Sequence, residues 1–196
     1  VAVNQAYELL PLTTEQILHP EKYYLHEAGL PVEIPAVELS GYTVFEEGGF
    51  GEWNARLFLM DGISAGDALV AAAGWGGDRY RLYWQGDPEC TDDCAGPVAF
   101  VYRYTGDTPR DAQEFADALV RSAHAIMRVG SARGAVDGVT TFTGGDDYAY
   151  VRIIGEDVHL HLHLHPLPLA TRGDAGMLDQ VLMNMAVNAR DAMTQG

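Results

Sequence analysis

Along the chain the spacing of hydrophobic and polar positions changes from helical to strand-like and back several times. VAVNQAYELL, at the start, has a helical pattern that stops at Pro11, and a second helical stretch, TTEQILHPEKYYLHEAG, follows with Thr13 or Thr14 placed to cap it and Pro20 interrupting it. LPVEIPAVEL is extended and marked by proline, and GYTVFEE follows it. Glu52–Met60 and Ala65–Ala73 are predicted helices, the second broken by a GWGGD turn at residues 74–78. RYRLYW (79–84) and VAFVYRY (98–104) alternate in the manner of strands and form a predicted hairpin around the CTDDC loop. The clearest helix is DTPRDAQEFADALVRSAHAIM, capped by Asp107 or Thr108, with Pro109 in its first turn and Phe115, Leu119, Ala123 and Ile126 at helical spacing. GVTTF, YAYVRII and DVHLHLHLH are three further strand-like runs. A last predicted helix, Ala175–Met193, puts Leu178, Val181, Leu182, Met185, Ala186 and Ala189 on one face. The fold class expected is α+β, with helices packed on a mainly antiparallel sheet and a long C-terminal helix at the end.

The chain has 196 residues, 47% of them hydrophobic and 20% charged, enough apolar material for a packed core. Its net charge is −16. That excess argues against nucleic acid as a partner, since few cations are present to displace counterions from phosphate. It argues equally against a polybasic membrane-surface protein. Residues 151–196 hold three Arg and five acidic residues, so −14 of the charge falls on residues 1–150. No apolar run is long enough to span a bilayer, so no membrane insertion by this segment is expected. VAVNQAYELL has no basic n-region and no cleavage motif, and both ends of the sequence look cut. One Lys against eleven Arg, with many Ala and Gly, points to a GC-rich bacterial gene.

Cys90 and Cys94 are the only cysteines. Without a second pair they are too few for a structural zinc site. Either a small disulfide closes their Asp- and Pro-containing loop, implying an oxidising compartment, or both are free thiols.

Four blocks occur in order within residues 1–150: TTEQILHPEKYY, FEEGGFGEWNARLFL, AAAGWGGDRYRLY and DTPRDAQEFADAL. Together they resemble the C-terminal half of a bacterial and archaeal family of secreted zinc-metallopeptidase-like proteins. The resemblance implies an extracytoplasmic domain whose zinc helix, of His-Glu-x-x-His type, lies upstream of the matching segment. Within residues 1–196 that motif is missing. HPEKYYLH sets His19 and His26 seven apart, whereas a catalytic zinc needs two His one turn apart. This region is therefore expected to be a non-catalytic companion of a peptidase domain.

From about residue 151 the sequence VRIIGEDVHLHLHLHPLPLATRGDAGMLDQVLMNMAVNARDAMTQG resembles the start of the ATP-binding domain of sensor histidine kinases, a fold shared with DNA gyrase B and the heat-shock 90 chaperones. The matching motif is the N-box, DQVLMNMAVNARDAM. By that resemblance Asn188 gives an oxygen to the Mg²⁺ of bound Mg-ATP, Asn184 contacts the phosphates, and Arg190 and Asp191 trim the site. The Asn184/Asn188 spacing of four puts both amides on one helical face. The adenine loop, the glycine-rich lid and the phospho-acceptor His all fall outside residues 1–196, so ATP binding requires parts that are missing. The resemblance implies a cytoplasmic setting if the kinase reading holds. The two resemblances divide the chain into residues 1–150 and 151–196, with a seam at about 135–157.

On a strand, His159, His161 and His163 share one face at about 6.6–7 Å spacing, where they could take up a metal adventitiously. The alternative is a half-buried strand with Leu160, Leu162 and Leu164 inward and a wet His face that gains charge below about pH 6.5. Trp75, Tyr80, Tyr83, Trp84, Tyr102 and Tyr104 are either a ligand-binding aromatic face or the core and rim of a sheet. Glu46, Glu47, Glu52, Asp61 and Asp67 lack the spacing of a Ca²⁺ loop and are expected to be a solvated acidic face. His124 is expected to be a partly buried helix histidine.

The function expected is a non-catalytic structural or partner-binding domain of a metallopeptidase-like protein fused to an incomplete N-box segment, with a protein partner or the rest of the parent chain as its ligand. The alternatives are a sensor-histidine-kinase fragment acting in ATP-dependent phosphorelay signalling, with residues 1–150 as a sensory region, and a His-rich metal-binding module. Catalysis by this chain alone is not expected.

Overall fold

The structure is a computed structural model that describes residues 7–86, 96–126, 133–136, 139–144 and 147–164. All of these lie in one compact unit, Val1–Pro166. The N-box with Asn184, Asn188, Arg190 and Asp191, the helix predicted at 175–193, the cysteines Cys90 and Cys94, and the side chain of His124 lie outside the described residues.

Among the described residues seven antiparallel strands form one sheet: β1 (Thr43–Gly48), β2 (Trp75–Trp84), β3 (Val98–Gly106), β4 (Arg133–Val136), β5 (Val139–Gly144), β6 (Asp147–Ile154) and β7 (Asp157–Leu164). Their order across the sheet is β1-β2-β3-β7-β6-β5-β4. The predicted β2–β3 hairpin is present, with Tyr80 opposite Tyr102. β7 then joins β3, with Leu160 opposite Tyr102, and so ties the last three strand-like runs to the first two. β4 was not legible, because RGAV is too short and too weakly patterned to register as a strand.

Among the described residues the sheet is accompanied by the helices α1 (Thr14–Leu18), α2 (Pro20–Tyr24), α3 (Gly51–Met60), α4 (Ala65–Ala72) and α5 (Pro109–Ile126). The single helix interrupted at Pro20 is in fact two short ones. Proline cannot donate a backbone N–H, and here it opens α2. Thr13 caps α1, its side chain accepting from Gln16 N. Thr108 starts α5, with its Oγ1 accepting from Asp111 N at 3.3 Å.

α5 turns Ala112, Phe115, Ala116, Leu119 and Ala123 inward at helical spacing, against Tyr102 and Tyr104 of β3 and Leu160 of β7. Tyr104 stacks on Phe115 with centroids 3.8 Å apart. Most of the aromatic set is thus core: Trp75, Tyr83, Tyr102 and Tyr104 are buried. On the opposite sheet face an extended strap, residues 30–42, lays Ile34, Val37, Leu39 and Tyr42 on Tyr83, Ala99 and Val101. Arg103 fastens it by donating to the Glu33 carbonyl at 2.9 Å.

The predicted GWGGD turn is instead the start of β2, which runs from Trp75 and has an irregularity between Trp75 and Gly77. Its glycines serve close approach rather than chain reversal. Leu30 N donates to Gly76 O at 2.6 Å, and a Cβ on Gly77 would run into the Leu30 carbonyl.

Asp78, next in β2, is buried and accepts four hydrogen bonds. Oδ1 takes the N–H groups of Phe50 (2.8 Å) and Gly51 (3.2 Å) at the start of α3, while Oδ2 takes Trp75 Nε1 (2.9 Å) and the Tyr102 hydroxyl (3.0 Å). Gly51 reaches this position with φ +69°, which favours glycine. Burial pushes the Asp78 carboxyl up from its ordinary range, against the pull of its four donors. Replacing Asp78 by Ala leaves those donors buried without an acceptor, and Asp78→Asn turns an amide N–H₂ toward some of them. Each variant is expected to lose about 3 kcal/mol or more of stability in urea unfolding. An unchanged midpoint would show that the carboxylate is dispensable to the sheet.

Candidate functional site

In the segment from residue 7 to 30 the usual burial preferences are reversed. Glu15 is 1% exposed and Gln16 4%, while Leu12 (79%), Ile17 (65%), Tyr24 and Leu25 (74%) face outward. A surface helix ordinarily buries its apolar stripe. Here the polar stripe Glu15, His19 and Lys22 faces the body of the protein, and specific partners compensate its burial.

Lys22 is the centre of that arrangement. Its Nζ lies 2.5 Å from Glu15, 2.9 Å from Glu27 and 2.8 Å from Asp107, in the turn after β3. Burial works to lower the Lys22 pKa, but hydrogen bonds to Asp107, Glu15 and Glu27 outweigh it and hold the ammonium above its ordinary range. Burial raises the Glu15 carboxyl, with Lys22 pulling the other way. Gln16 adds two bonds, accepting from Leu12 N at 2.7 Å and donating to the Glu27 carbonyl at 2.6 Å.

His19 reaches α3, where its Nε2 is 2.9 Å from Glu52 Oε1. Glu52 is fully buried, and its Oε2 has no hydrogen-bond partner among the described residues. Its burial corrects the reading of Glu52 as part of a solvated acidic face. The other partner of His19 is Glu21, 3.7 Å from Nδ1. No hydroxyl or thiol is bonded to His19 among the described residues, so the pair lacks the nucleophile that a catalytic dyad would activate.

An open cleft of about 470 Å³ lies where this segment meets the sheet and α3. Thr13, Thr14 and Leu30 form one side, and Phe50, Trp75 and Asp78 the other. Thr14 Oγ1 accepts from Trp53 N at 3.2 Å and bridges the two sides. Since Asp78 already accepts four hydrogen bonds, the cleft offers no free carboxylate to a ligand.

Among the described residues the only metal-type cluster of His, Cys, Asp and Glu is Glu15, Glu27 and Asp107, and Lys22 sits among them. The acidic residues weighed for Ca²⁺ go separate ways: Glu46 accepts from Tyr80, Glu47 pairs with Arg81 and Arg79, and Asp67 bonds Ser64. His159, His161 and His163 share the strap-side face of β7, as their alternation implies. His161 stacks on Tyr150 (4.3 Å) and His163 on Tyr148 (4.8 Å), and His163 Nε2 meets the Tyr42 hydroxyl at 2.6 Å.

This face is not the wet one expected, because it lies partly buried against aromatic rings and the strap. Burial lowers the pKa of His159, and it lowers that of His161 from 6.5 to about 4. The expected gain of charge is therefore moved to lower pH for these two rings.

These features define a class: an α+β domain with helices on one face of an antiparallel sheet, a strap on the other, and a polar-anchored segment whose apolar side points out. The chain belongs to the family described as Domain of unknown function (DUF8575), whose model matches residues 42–162. The match takes in β1 and nearly all of β7, including Asp78 and its four donors, and leaves residues 7–41 outside it. No curated protein and no solved structure matches the chain. Among the described residues no helix is long and apolar enough to cross a membrane.

Two outcomes follow from this geometry. Lys22→Met exposes three carboxylates to one another, one of them buried, and is expected to cost about 3 kcal/mol in thermal or urea unfolding. Adding Glu15→Gln should restore part of the loss, and strictly additive effects would mean that the two side chains are not coupled.

For His161, the fold favours the neutral ring while the unfolded chain takes up a proton near 6.5. Its contribution is complete above 6.5 and is lost as the pH falls from 6.5 to about 4. Between pH 7.5 and 4.5 the wild type should therefore lose roughly 1–3 kcal/mol more than His161→Phe. Equal losses would exclude a buried neutral ring.

Proposed function

We propose that this chain is a non-catalytic, partner-binding α+β domain of a larger metallopeptidase-like protein. The observation that carries the reading is the segment 7–30, where Leu12, Ile17, Tyr24 and Leu25 face solvent while Glu15, Gln16 and Lys22 are turned inward. Large apolar side chains grouped on a surface mark an interaction site. Solvent alone gives no reason to bury the charges and expose the hydrocarbon.

The fate of the buried ionisable groups supports the non-catalytic part. Asp78, Glu15 and Glu52 are each engaged in holding one element to another. The metallopeptidase-like parent is supported by the four ordered blocks in residues 1–150, and the partner consistent with them is the portion carrying the zinc helix. Residues 151–196 contribute strands to the sheet up to Leu164. On this reading the N-box beyond them does not make an ATP site by itself.

Calorimetric titration of the purified chain with Mg-ATP is expected to give no saturable heat. Titration with the zinc-helix portion of the parent should give a one-to-one complex. Stoichiometric Mg-ATP binding that Asn188→Ala weakens would replace this reading with the kinase fragment.

A further inference from the structure

The strap is held to the sheet by side chains rather than by its own backbone ladder. Pro31 and Pro35 have no N–H to give. At its ends Leu30 N donates to the Gly76 carbonyl and Tyr42 N to the Leu39 carbonyl. Among the described residues no backbone hydrogen bond joins residues 31–41 to a strand.

The side-chain contacts follow the histidine row of β7 one by one. Residues directly opposite in antiparallel strands share a face. His159 therefore lies between Arg103 of β3 and Arg152 of β6, His161 between Val101 and Tyr150, and His163 between Ala99 and Tyr148. Arg103, beside the first, donates to the Glu33 carbonyl of the strap. Val37 and Leu39 of the strap line a cavity of about 70 Å³ with the second, His161, and with Val101, Tyr148 and Tyr150. The third, His163, meets the Tyr42 hydroxyl.

We propose that the strap is an acid-released clasp: proton uptake by the histidine row lifts residues 31–41 off the sheet while the core between the sheet and α5 stays folded. Release does not depend on what residues 7–30 bind. Peripheral segments open at a lower free energy than the whole fold, and this one has few contacts to lose.

The charges around His161 favour release. Its neighbours on this face are His159 and His163 on β7, Arg103 on β3 with Arg81 one strand beyond, and Arg152, Tyr148 and Tyr150 on β6. The strap contributes apolar side chains and the Tyr42 hydroxyl, while Glu33 and Glu38 are exposed. Asp157 is engaged by Arg103 at 2.7 Å and by Thr105 at 2.6 Å, and Glu47 by Arg81. A cation formed at His161 thus arises among other cations, beneath an apolar cover.

Burial, with His159 beside it, holds the closed-state ring neutral down to about pH 4, whereas a ring in water takes up a proton near 6.5. Closure is therefore at full strength above pH 6.5 and weakens as the pH falls from 6.5 to about 4. That interval corresponds to a roughly 300-fold rise in the ratio of open to closed strap. His159, lowered by burial and by Arg103, acts in the same direction.

The test is methyl NMR of the full chain between pH 7.5 and 4.5 with a soluble paramagnetic agent. Val101, buried beneath the strap, reports opening; Leu119 and Leu160, in the core under α5, report global unfolding. Relaxation enhancement at the Val101 methyls is expected to grow as the pH falls, with Leu119 and Leu160 still protected. The rise in open population should be at least about tenfold larger in the wild type than in His161→Phe, which keeps a ring on Tyr150 and removes the proton site. Asp78 and Glu15, whose carboxyls burial raises, are unchanged in that variant, so their titration is common to both proteins. Its melting temperature at pH 7.5 checks that it folds. The His161 imidazole resonances of the wild type, followed in the same series, give a reading that needs no variant: the ring should gain its proton as Val101 becomes accessible. Constant protection of Val101, an equal rise in both proteins, exposure of Leu119 and Leu160 together with Val101, or protonation of His161 near pH 6.5 with Val101 still protected would each overturn the clasp.

Discussion

The Lys22 ammonium decides which way the first described segment of this protein faces. It is the only lysine in the sequence, and three carboxylates from three places in the chain converge on it. Glu15 comes from α1, Glu27 from the loop after α2, and Asp107 from the turn between β3 and α5. A buried cation paired with one carboxylate is a poor source of stability, because desolvation offsets the attraction. Three acceptors change that balance and favour the charged form. The polar stripe of α1 and α2 is thereby committed inward, and the apolar side chains between its members must point out.

Asp78 plays the corresponding part inside the body. Its carboxylate joins β2 to the start of α3, to Trp75 and to β3. The side chain that accepts these bonds sits on the same sheet face as Tyr80 and Tyr102. The strap closes the other face, held by the Leu30 N–H on the Gly76 carbonyl and by the Arg103 guanidinium on the Glu33 carbonyl. In this protein, then, apolar burial builds the sheet-and-helix core, and ionic groups position what is laid over it. Both kinds of anchor meet at the cleft where Thr14 bonds Trp53 and Asp78 bonds Phe50.

Much of the body could be read from the sequence, because its periodicity and its burial agree. α5 announces itself through Thr108, Pro109 and the inward row of Phe115 and Leu119. The β2–β3 hairpin follows from alternation, and the inward Leu160 and Leu162 follow from the alternation in β7. The site was not legible. Glu15, His19 and Lys22 recur at helical spacing, a pattern identical to that of an ordinary solvent-facing stripe, and only tertiary partners show that it is buried. Asp78 stood inside a string that resembled a glycine turn, and its donors come from residues as far away as Tyr102. The His row was placed correctly on one face of its strand. Its covering could not be foreseen, because the strap that covers it lies more than a hundred residues earlier in the chain.

The orientation of residues 7–30 can be measured directly by adding a soluble paramagnetic agent and recording relaxation at side-chain methyl groups. The account predicts strong enhancement at the methyls of Leu12, Ile17 and Leu25, with the methyls of Leu119 and Leu160 protected and the Lys22 ammonium shielded. Protected methyls at Leu12, Ile17 and Leu25, together with a freely accessible Lys22, would contradict it.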